Sequence, residues 1–317
     1  MNEGNGRSGQ GGYEGRGGNG GRGPGGPGAP GGFGGRGKSG GGTPEWKRRP
    51  RAAAPKAVTG EGAVVWLDEE LRGVSELRHD RGREKTGQYL VEGVRAVETL
   101  IDRARENVVA LYETEGITWN RALLDKGPGR LTVRRISETE MENISATKTQ
   151  QGLIAVAVAR SLRVNWETAR RVTLVDAVQD PGNLGGLFRT CAAFGFDCLV
   201  LGKGTVDPFN PRAARGAAGL VATVPFEAGV NLQTQLDFLR QKGFTILGTS
   251  PHGKETIDSV KLKNKVAILV GNEGKGASQH LLDQCDAQVR IPMAAGVESL
   301  NVSVAHGILA AGLYQRS

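Results

Sequence analysis

The stretch VTLVDAVQDPGNLGGLFRTCAA, residues 172–193, opens on an apolar strand, Val172 to Val178. It passes through a glycine-rich turn at Asp180 to Gly186 and continues into a helix through Leu187 to Ala193. Strand, polar turn and helix in that order form the repeating unit of a parallel α/β sheet. The alternation recurs downstream. Cys198 to Leu201 reads as a strand, and Leu232 to Gln241 as a helix with Leu232, Leu236 and Leu239 on one face. Phe244 to Leu247 is a third strand. Val266 to Val270 is wholly apolar, as a strand covered on both faces requires. Leu300 to Leu313 closes the chain as a helix carrying Leu300, Val304, Ile308 and Ala311. The fold class over residues 163–317 is therefore α/β, a parallel sheet flanked by helices. Ligands of such sheets gather beyond the carboxyl ends of the strands.

Residues 61–162 read as a separate, small α/β domain. Helix-like stretches fill Val64 to Arg83, and Val94 to Ile101 is an amphipathic helix. Strands are expected at Tyr89–Val91, Val108–Tyr112, Leu131–Ile136 and Gly152–Val158. Nothing in this block has the makings of an active site by itself. Residues 1–60 are of another kind: 22 of the 50 glycines lie between Gly4 and Gly42. Such a stretch has much backbone entropy to lose and little to bury, so disorder is expected. Glycine does not recur every third residue, which removes a collagen reading.

The net charge of +8 is concentrated there: Met1 to Lys56 carry 10 Lys/Arg against 3 Asp/Glu. A basic tail ending in Lys47, Arg48, Arg49 and Arg51, with Tyr13 and Phe33 interspersed, suits loose attraction to RNA or a ribosomal surface. A purely solubilising tail is the alternative, and charge alone does not separate RNA from DNA or an anionic membrane. Three cysteines, Cys191, Cys198 and Cys285, make neither a disulfide framework nor a CxxC pair. No apolar run reaches transmembrane length, and no signal-peptide core opens the chain. A soluble protein of a reducing, cytoplasmic compartment with no membrane partner is the expectation.

Common motifs fail on detail. The turn from Asp180 to Gly186 lacks G-x-G-x-x-G spacing, which argues against a nicotinamide or flavin site. Gly248 to Lys254 fits the first part of a phosphate-binding loop, yet Glu255 stands where Ser or Thr must hold magnesium. The four histidines, His79, His252, His280 and His306, have no metal-ligand spacing, so no metal is expected. His306 sits in an apolar helix and reads as a satisfied core or interface residue. Cys191 has no visible base and reads as buried. No serine-histidine-acid trio emerges from local spacing, although such trios need not be local.

Three segments carry a specific signal: DPGNLGGLFRTCAAFG (residues 180–195), VAILVGNEGKG (266–276) and RIPMAAGVESLNVSVAHGILAAG (290–312). Their order and spacing resemble the three motifs of the SpoU/TrmH family of RNA ribose methyltransferases, over roughly Val172 to Leu313. GQYLVEGVRAVETL (87–100) and TKTQQGLIAV (147–156) more weakly resemble the small RNA-binding domain that many members place ahead of the catalytic one. The resemblance implies a C-terminal deep trefoil knot, a rare exception to ordinary chain connections. It also implies a homodimer through the knot region. S-adenosylmethionine would be held by loops at Leu247, Gly248 and Thr249, at Gly271, Asn272 and Gly274, and at Ile291, Met293, Leu300 and Asn301. Glycines at 271, 274 and 276 would let backbone approach the adenosyl group closely.

The resemblance also assigns roles. Arg189 matches the arginine of the first motif, proposed to activate the hydroxyl; an arginine is normally protonated, which suits gripping a phosphate and stabilising charge on the 2′-oxygen better than acting as a base. Asn183 would orient Arg189 or the ribose. Glu273 would position the substrate or the first-motif loop. Ser299 and Asn301 complete the polar set. In the family dimer each site mixes both subunits, so Arg189 would serve the partner's cofactor. Ala217 and His306 depart from the commoner family pattern, a serine and a small residue respectively. The implied activity is methyl transfer to a ribose 2′-hydroxyl of structured RNA, the leading domain pointing to 23S-type, large-subunit ribosomal RNA. Transfer RNA, a silent RNA-binding or assembly factor, and a base-nitrogen methyltransferase of the same fold are the alternatives.

Overall fold

The computed structural model describes residues 68–316. The tail and the start of the 64–83 segment lie outside the described residues. The amino-terminal lobe runs α1 (Asp68–Glu76), α2 (Asp80–Thr86), β1 (Gln88–Glu92), α3 (Val94–Ala104), β2 (Val108–Glu113), β3 (Val133–Arg135), α4 (Glu138–Ile144) and β4 (Leu153–Val158). Its sheet has the order β1-β4-β2-β3, with β4 antiparallel to both neighbours and β3 parallel to β2. The apolar stripe of α3 buries Val97, Leu100, Ile101 and Ala104. The strand expected over Leu131–Ile136 shortens to the three residues that find partners on β2. The unanticipated α4 starts at a capping box, Ser137 with Glu140, which satisfies two backbone donors reciprocally.

The second lobe continues with β5 (Arg171–Val175), α5 (Pro181–Ala193), β6 (Cys198–Gly202), α6 (Pro211–Gly216), β7 (Phe226–Val230), α7 (Leu232–Gln241), β8 (Thr245–Thr249), β9 (Val266–Val270), α8 (Gln279–Leu282), β10 (Ala287–Val289) and α9 (Val302–Gln315). Its six strands are parallel throughout, in the order β10-β8-β9-β5-β6-β7. The chain starts at β5, builds outward to β7, then crosses to the other side. The order therefore reverses between β5 and β9, which places the crevice of this sheet beyond their carboxyl ends.

Two expectations are corrected here. The first strand ends at Val175 rather than Val178, because Ala177 takes a left-handed backbone with φ 54°. And the glycine-rich stretch after it is helix, not turn. Asp180 caps α5 by accepting from the Asn183 amide, and Pro181 occupies the first turn, where its missing N–H is no loss. The glycines serve packing. A Cβ on Gly185 would lie 2.5 Å from the Ala213 carbonyl oxygen, and one on Gly186 would lie 2.7 Å from Ser303 Cβ. So α6 and α9 both press on α5.

The lobes share one interior. Tyr89, Val97 and Leu100 belong to the same buried cluster as Leu184, Phe188 and Val221. At the junction the Tyr89 and Phe209 rings lie 4.8 Å apart, and buried Arg83 bonds Asp207 at 2.9 Å. Gly219, at φ 84°, has no room for a Cβ beside the Ala96 carbonyl.

His306 is fully buried, with Thr173 Oγ1 2.9 Å from Nε2 and Thr190 Oγ1 2.8 Å from Nδ1. This is the satisfied core histidine, and both threonines lie far from it in sequence. Burial pushes its pKa down to about 4. The fold also brings Nε2 within 4.0 Å of Cys191 Sγ, a neighbour that sequence spacing did not show. Burial pushes that thiol up to about 12, against a hydrogen bond with Thr173 that lowers it, so the pair makes no nucleophile. A histidine neutral when folded and chargeable when unfolded stabilises fully above its unfolded value of 6.5. That contribution falls away as pH drops from there toward 4, by on the order of 3 kcal/mol in all. Denaturant titrations across this window are expected to show the slope in the wild type and not in His306→Leu.

Candidate active site

The loops that follow β5 and β9 meet at the reversal point. Asp176, just past β5, accepts from Ser278 N at 2.8 Å and Ser278 Oγ at 2.5 Å. Asn272, just past β9, donates from Nδ2 to the Ala177 carbonyl at 2.9 Å, holding the left-handed turn in place. Its own Oδ1 accepts from Gly274 N and Lys275 N at 3.0 and 3.2 Å. The loop from 272 to 276 is thereby folded back on itself and locked to the first loop.

Glu273 then reaches the start of α5. Its carboxylate accepts from Gln179 N at 3.3 Å, Asp180 N at 3.1 Å and Asn183 Nδ2 at 2.9 Å. Asn183 Oδ1 in turn accepts from Asn301 Nδ2 at 2.7 Å. Asn301 caps α9, its Oδ1 accepting from Ser303 N, Ser303 Oγ and Val304 N. One side chain from each of the three segments, Asn183, Glu273 and Asn301, thus joins a single hydrogen-bonded relay.

Partial burial raises the Glu273 pKa, but the hydrogen bonds from Asn183 and from backbone amides outweigh it and hold the group below its usual 4.5. Its ionised form therefore stabilises the fold above that value and ceases to do so as pH falls through the depressed one. Glu273→Gln is expected to remove this part of the acid dependence in unfolding titrations below about pH 5. The same variant keeps an acceptor but gains an N–H that faces donors, and a roughly tenfold fall in turnover is expected of it.

Arg189 stands apart from the relay. Six residues after Asn183, it is turned about 120° around the helix axis, and the two are not bonded to each other. Its side chain is exposed and makes no hydrogen bond or ion pair with any described residue. Ser299 is likewise exposed in the loop before α9, outside the relay.

The three loops named for the cofactor leave β8, β9 and β10, which are adjacent and parallel, so they emerge at one edge. Their residues differ in what they can offer. Leu247 is buried in the core. Gly248 and Gly271 are glycine for the protein's own packing: a Cβ would lie 2.7 Å from Leu282 Cδ2 in one case and 1.8 Å from the Ala277 amide nitrogen in the other. A Cβ on Gly276, at φ 70°, would meet nothing within 4 Å, and one on Gly274 only Asn272 Oδ1 at 3.7 Å. Thr249, Asn272, Ile291, Met293 and Leu300 are half-buried. No helix follows Gly248–Lys254; instead Glu255 pairs with Val289, a geometry unlike that of a phosphate-binding loop.

Asp176, Asp180, Arg212 and Ser303 were not singled out from sequence. Asp180 was legible in principle, since an Asp-Pro pair before an apolar run marks a helix start. Arg212 bonds it at 3.2 Å. Ala217, the departure from the family pattern, is buried; its N–H donates to the Ala213 carbonyl at 2.8 Å and its own carbonyl accepts from Leu220 N at 3.0 Å.

Comparisons with known proteins point the same way. Residues 170–311 match the SpoU rRNA Methylase family, and residues 68–155 match the MRM3-like substrate binding domain. A 23S rRNA (guanosine(2553)-2′-O)-methyltransferase of Bacillus subtilis is 33% identical over 242 residues, 76% of this chain and 94% of that one. The structure of a TrmH-family protein from Porphyromonas gingivalis superposes with a TM-score of 0.67 at 26% identity, covering 80% of this chain and all of its own. An AdoMet-bound rRNA methyltransferase from Sinorhizobium meliloti shares the fold, with a TM-score of 0.67 at 22% identity, over 80% of this chain and 97% of its own. On these matches and the shared fold, the chain belongs to the SpoU rRNA methylase family.

Proposed function

We propose that this chain transfers the methyl group of S-adenosylmethionine to a ribose 2′-hydroxyl of large-subunit ribosomal RNA. The observation that carries the reading is the relay Glu273–Asn183–Asn301, closed at 2.9 and 2.7 Å at the sheet's reversal point, with a guanidinium on the same helix that bonds to no described residue. The residues present fit the cofactor. A Cβ on Gly276 would meet nothing within 4 Å and one on Gly274 only Asn272 Oδ1, which leaves backbone accessible to an adenosyl group, and half-buried Ile291, Met293 and Leu300 offer apolar side chains on the neighbouring loop. When bound, S-adenosylmethionine supplies a methyl already activated by the sulfonium charge.

The chain's own part is positioning and charge. Arg189 holds the RNA phosphate next to the target ribose and places its guanidinium by the 2′-oxygen as negative charge develops there. The proton passes to that phosphate or to water. Asn183 and Asn301 fix the floor of the site, and Glu273 keeps the first-motif loop in place; Ser299 and Asn301 stand beside the ribose. The turned-away Arg189 is supplied across a homodimer. On α9, Val304 and Ile308 remain 51% and 43% exposed one turn apart, while Leu309, Ala310 and Leu313 are buried on the other side. A second copy would cover that apolar stripe. The path from edge strand β10 back to Asn183, past β8 and β9, is accounted for by a C-terminal trefoil knot.

The amino-terminal lobe, residues 61–162, grips the RNA, and the basic tail adds nonspecific attraction. No described helix is long and apolar enough to cross a membrane, and the thiols Cys191, Cys198 and Cys285 are free, which supports work in the cytoplasm. Mapping 2′-O-methyl sites across total RNA with and without the gene tests the assignment. One large-subunit site is expected to vanish; loss of a transfer RNA site alone, or of none, would contradict it.

A further inference from the structure

A shallow cleft, open to solvent, lies on the amino-terminal lobe, lined by Glu92, Thr147, Gln150 and Gln151 and, from the other lobe, Arg215 of α6. None of these belongs to the relay. Its floor is built at some cost. Glu92 is buried and accepts from Ala146 N at 2.7 Å, Ser145 Oγ at 2.8 Å and Thr147 Oγ1 at 3.2 Å. A carboxylate taken out of water is tolerated when such donors compensate, and here those donors fix the backbone of residues 145–147.

The rim is left unused by the protein. Gln150 Oε1 accepts from Gly152 N, which leaves its NH₂ group with no described partner. Gln151 is exposed, and its Oε1 occupies the space a Cβ on Gly93 would need, 2.7 Å away. The Arg215 guanidinium is exposed and bonds to no described residue.

We infer that this cleft holds one unpaired nucleotide of the RNA substrate, its phosphate on Arg215 and its base edge on the amides of Gln150 and Gln151. The inference rests on the RNA methyltransferase reading. Side-chain amides carry the donor and acceptor that an unstacked base presents in return, and a guanidinium fork matches phosphate. The Glu92 carboxylate beneath disfavours a phosphate against the floor, so the phosphate stays on Arg215 and the base edge meets the two amides at the rim. The cleft is also held at a fixed reach from the site. Arg83–Asp207 and Tyr89–Phe209 fasten the lobes, and α6, which carries Arg215, packs on α5 through Gly185. RNA is thereby selected by the spacing between this nucleotide and the target ribose.

The test is steady-state methylation by the full chain, with a large-subunit rRNA transcript and labelled S-adenosylmethionine at several salt concentrations. Arg215→Ala is expected to raise KM for RNA roughly tenfold and to lessen its salt dependence by about one phosphate contact. Gln151→Ala is expected to raise KM several-fold with an unchanged salt slope. Both should keep kcat at saturating RNA within about twofold, and both should melt as the wild type does. Wild-type KM in both variants would overturn the inference while leaving the function intact. A rise confined to Arg215→Ala would overturn the nucleotide reading in favour of plain charge attraction. A wild-type chain that labels no RNA would end the functional reading and this inference together.

Discussion

Replacing Arg189 by alanine is expected to lower the single-turnover rate of methyl transfer by roughly 10²–10³-fold and to leave the S-adenosylmethionine dissociation constant within about twofold. The side chain is exposed and bonds to no described residue, so its removal should change stability by no more than about 0.5 kcal/mol. A loss of rate cannot then be blamed on a loosened fold. Arg189→Lys keeps the charge but not the planar fork, and an intermediate rate is expected of it. The measurement is a rapid-quench single turnover at saturating RNA and cofactor, beside calorimetric binding of the cofactor. Rates near wild type in the alanine variant would remove Arg189 from the reaction.

The second large effect concerns Gly271. A Cβ there would meet the Ala277 amide nitrogen at 1.8 Å and the Gly276 carbonyl carbon at 2.1 Å. Both are backbone, in a loop closed by the reciprocal bonds of Asn272 and Gly276 at 3.0 and 2.9 Å. Nothing can rotate aside. Gly271→Ala is therefore expected to cost about 3 kcal/mol or more and to break the relay that begins at Glu273. Gly274→Ala is the contrast: its Cβ would meet only Asn272 Oδ1, at 3.7 Å, and a change within about 1 kcal/mol is expected. Chemical denaturation of the two variants separates a packing glycine from one that borders open space.

That distinction shows where the sequence was readable and where it was not. Periodicity found Val266–Val270 and Leu232–Gln241 to the residue, because both elements announce themselves through their own apolar pattern. It misread the first turns of α5, since three glycines in seven residues spell a turn locally. The reason they are helical is tertiary: α6 and α9 come too close for any side chain at Gly185 and Gly186. Short elements such as β10, three residues at a sheet edge, left no pattern to read. In the site, Asn183, Glu273 and Asn301 were named from family motifs, and of their contacts only that of Glu273 with the first-motif loop was among the expectations. Asn183 is spent on Glu273 and Asn301 instead of facing Arg189, a consequence of helical geometry that motif spacing hides. The chain Cys191–Thr173–His306–Thr190 joins three segments that only the folded sheet brings together.

The most direct measurement is made on the purified full chain, given large-subunit ribosomal RNA from cells lacking the gene and S-adenosylmethionine with an isotopically labelled methyl. The RNA is then digested to nucleosides and resolved by mass. The label is expected on the ribose of a single nucleoside, as a 2′-O-methyl, and is expected to disappear with Arg189→Ala. Label on a base, or transfer that persists undiminished without Arg189, would contradict the account.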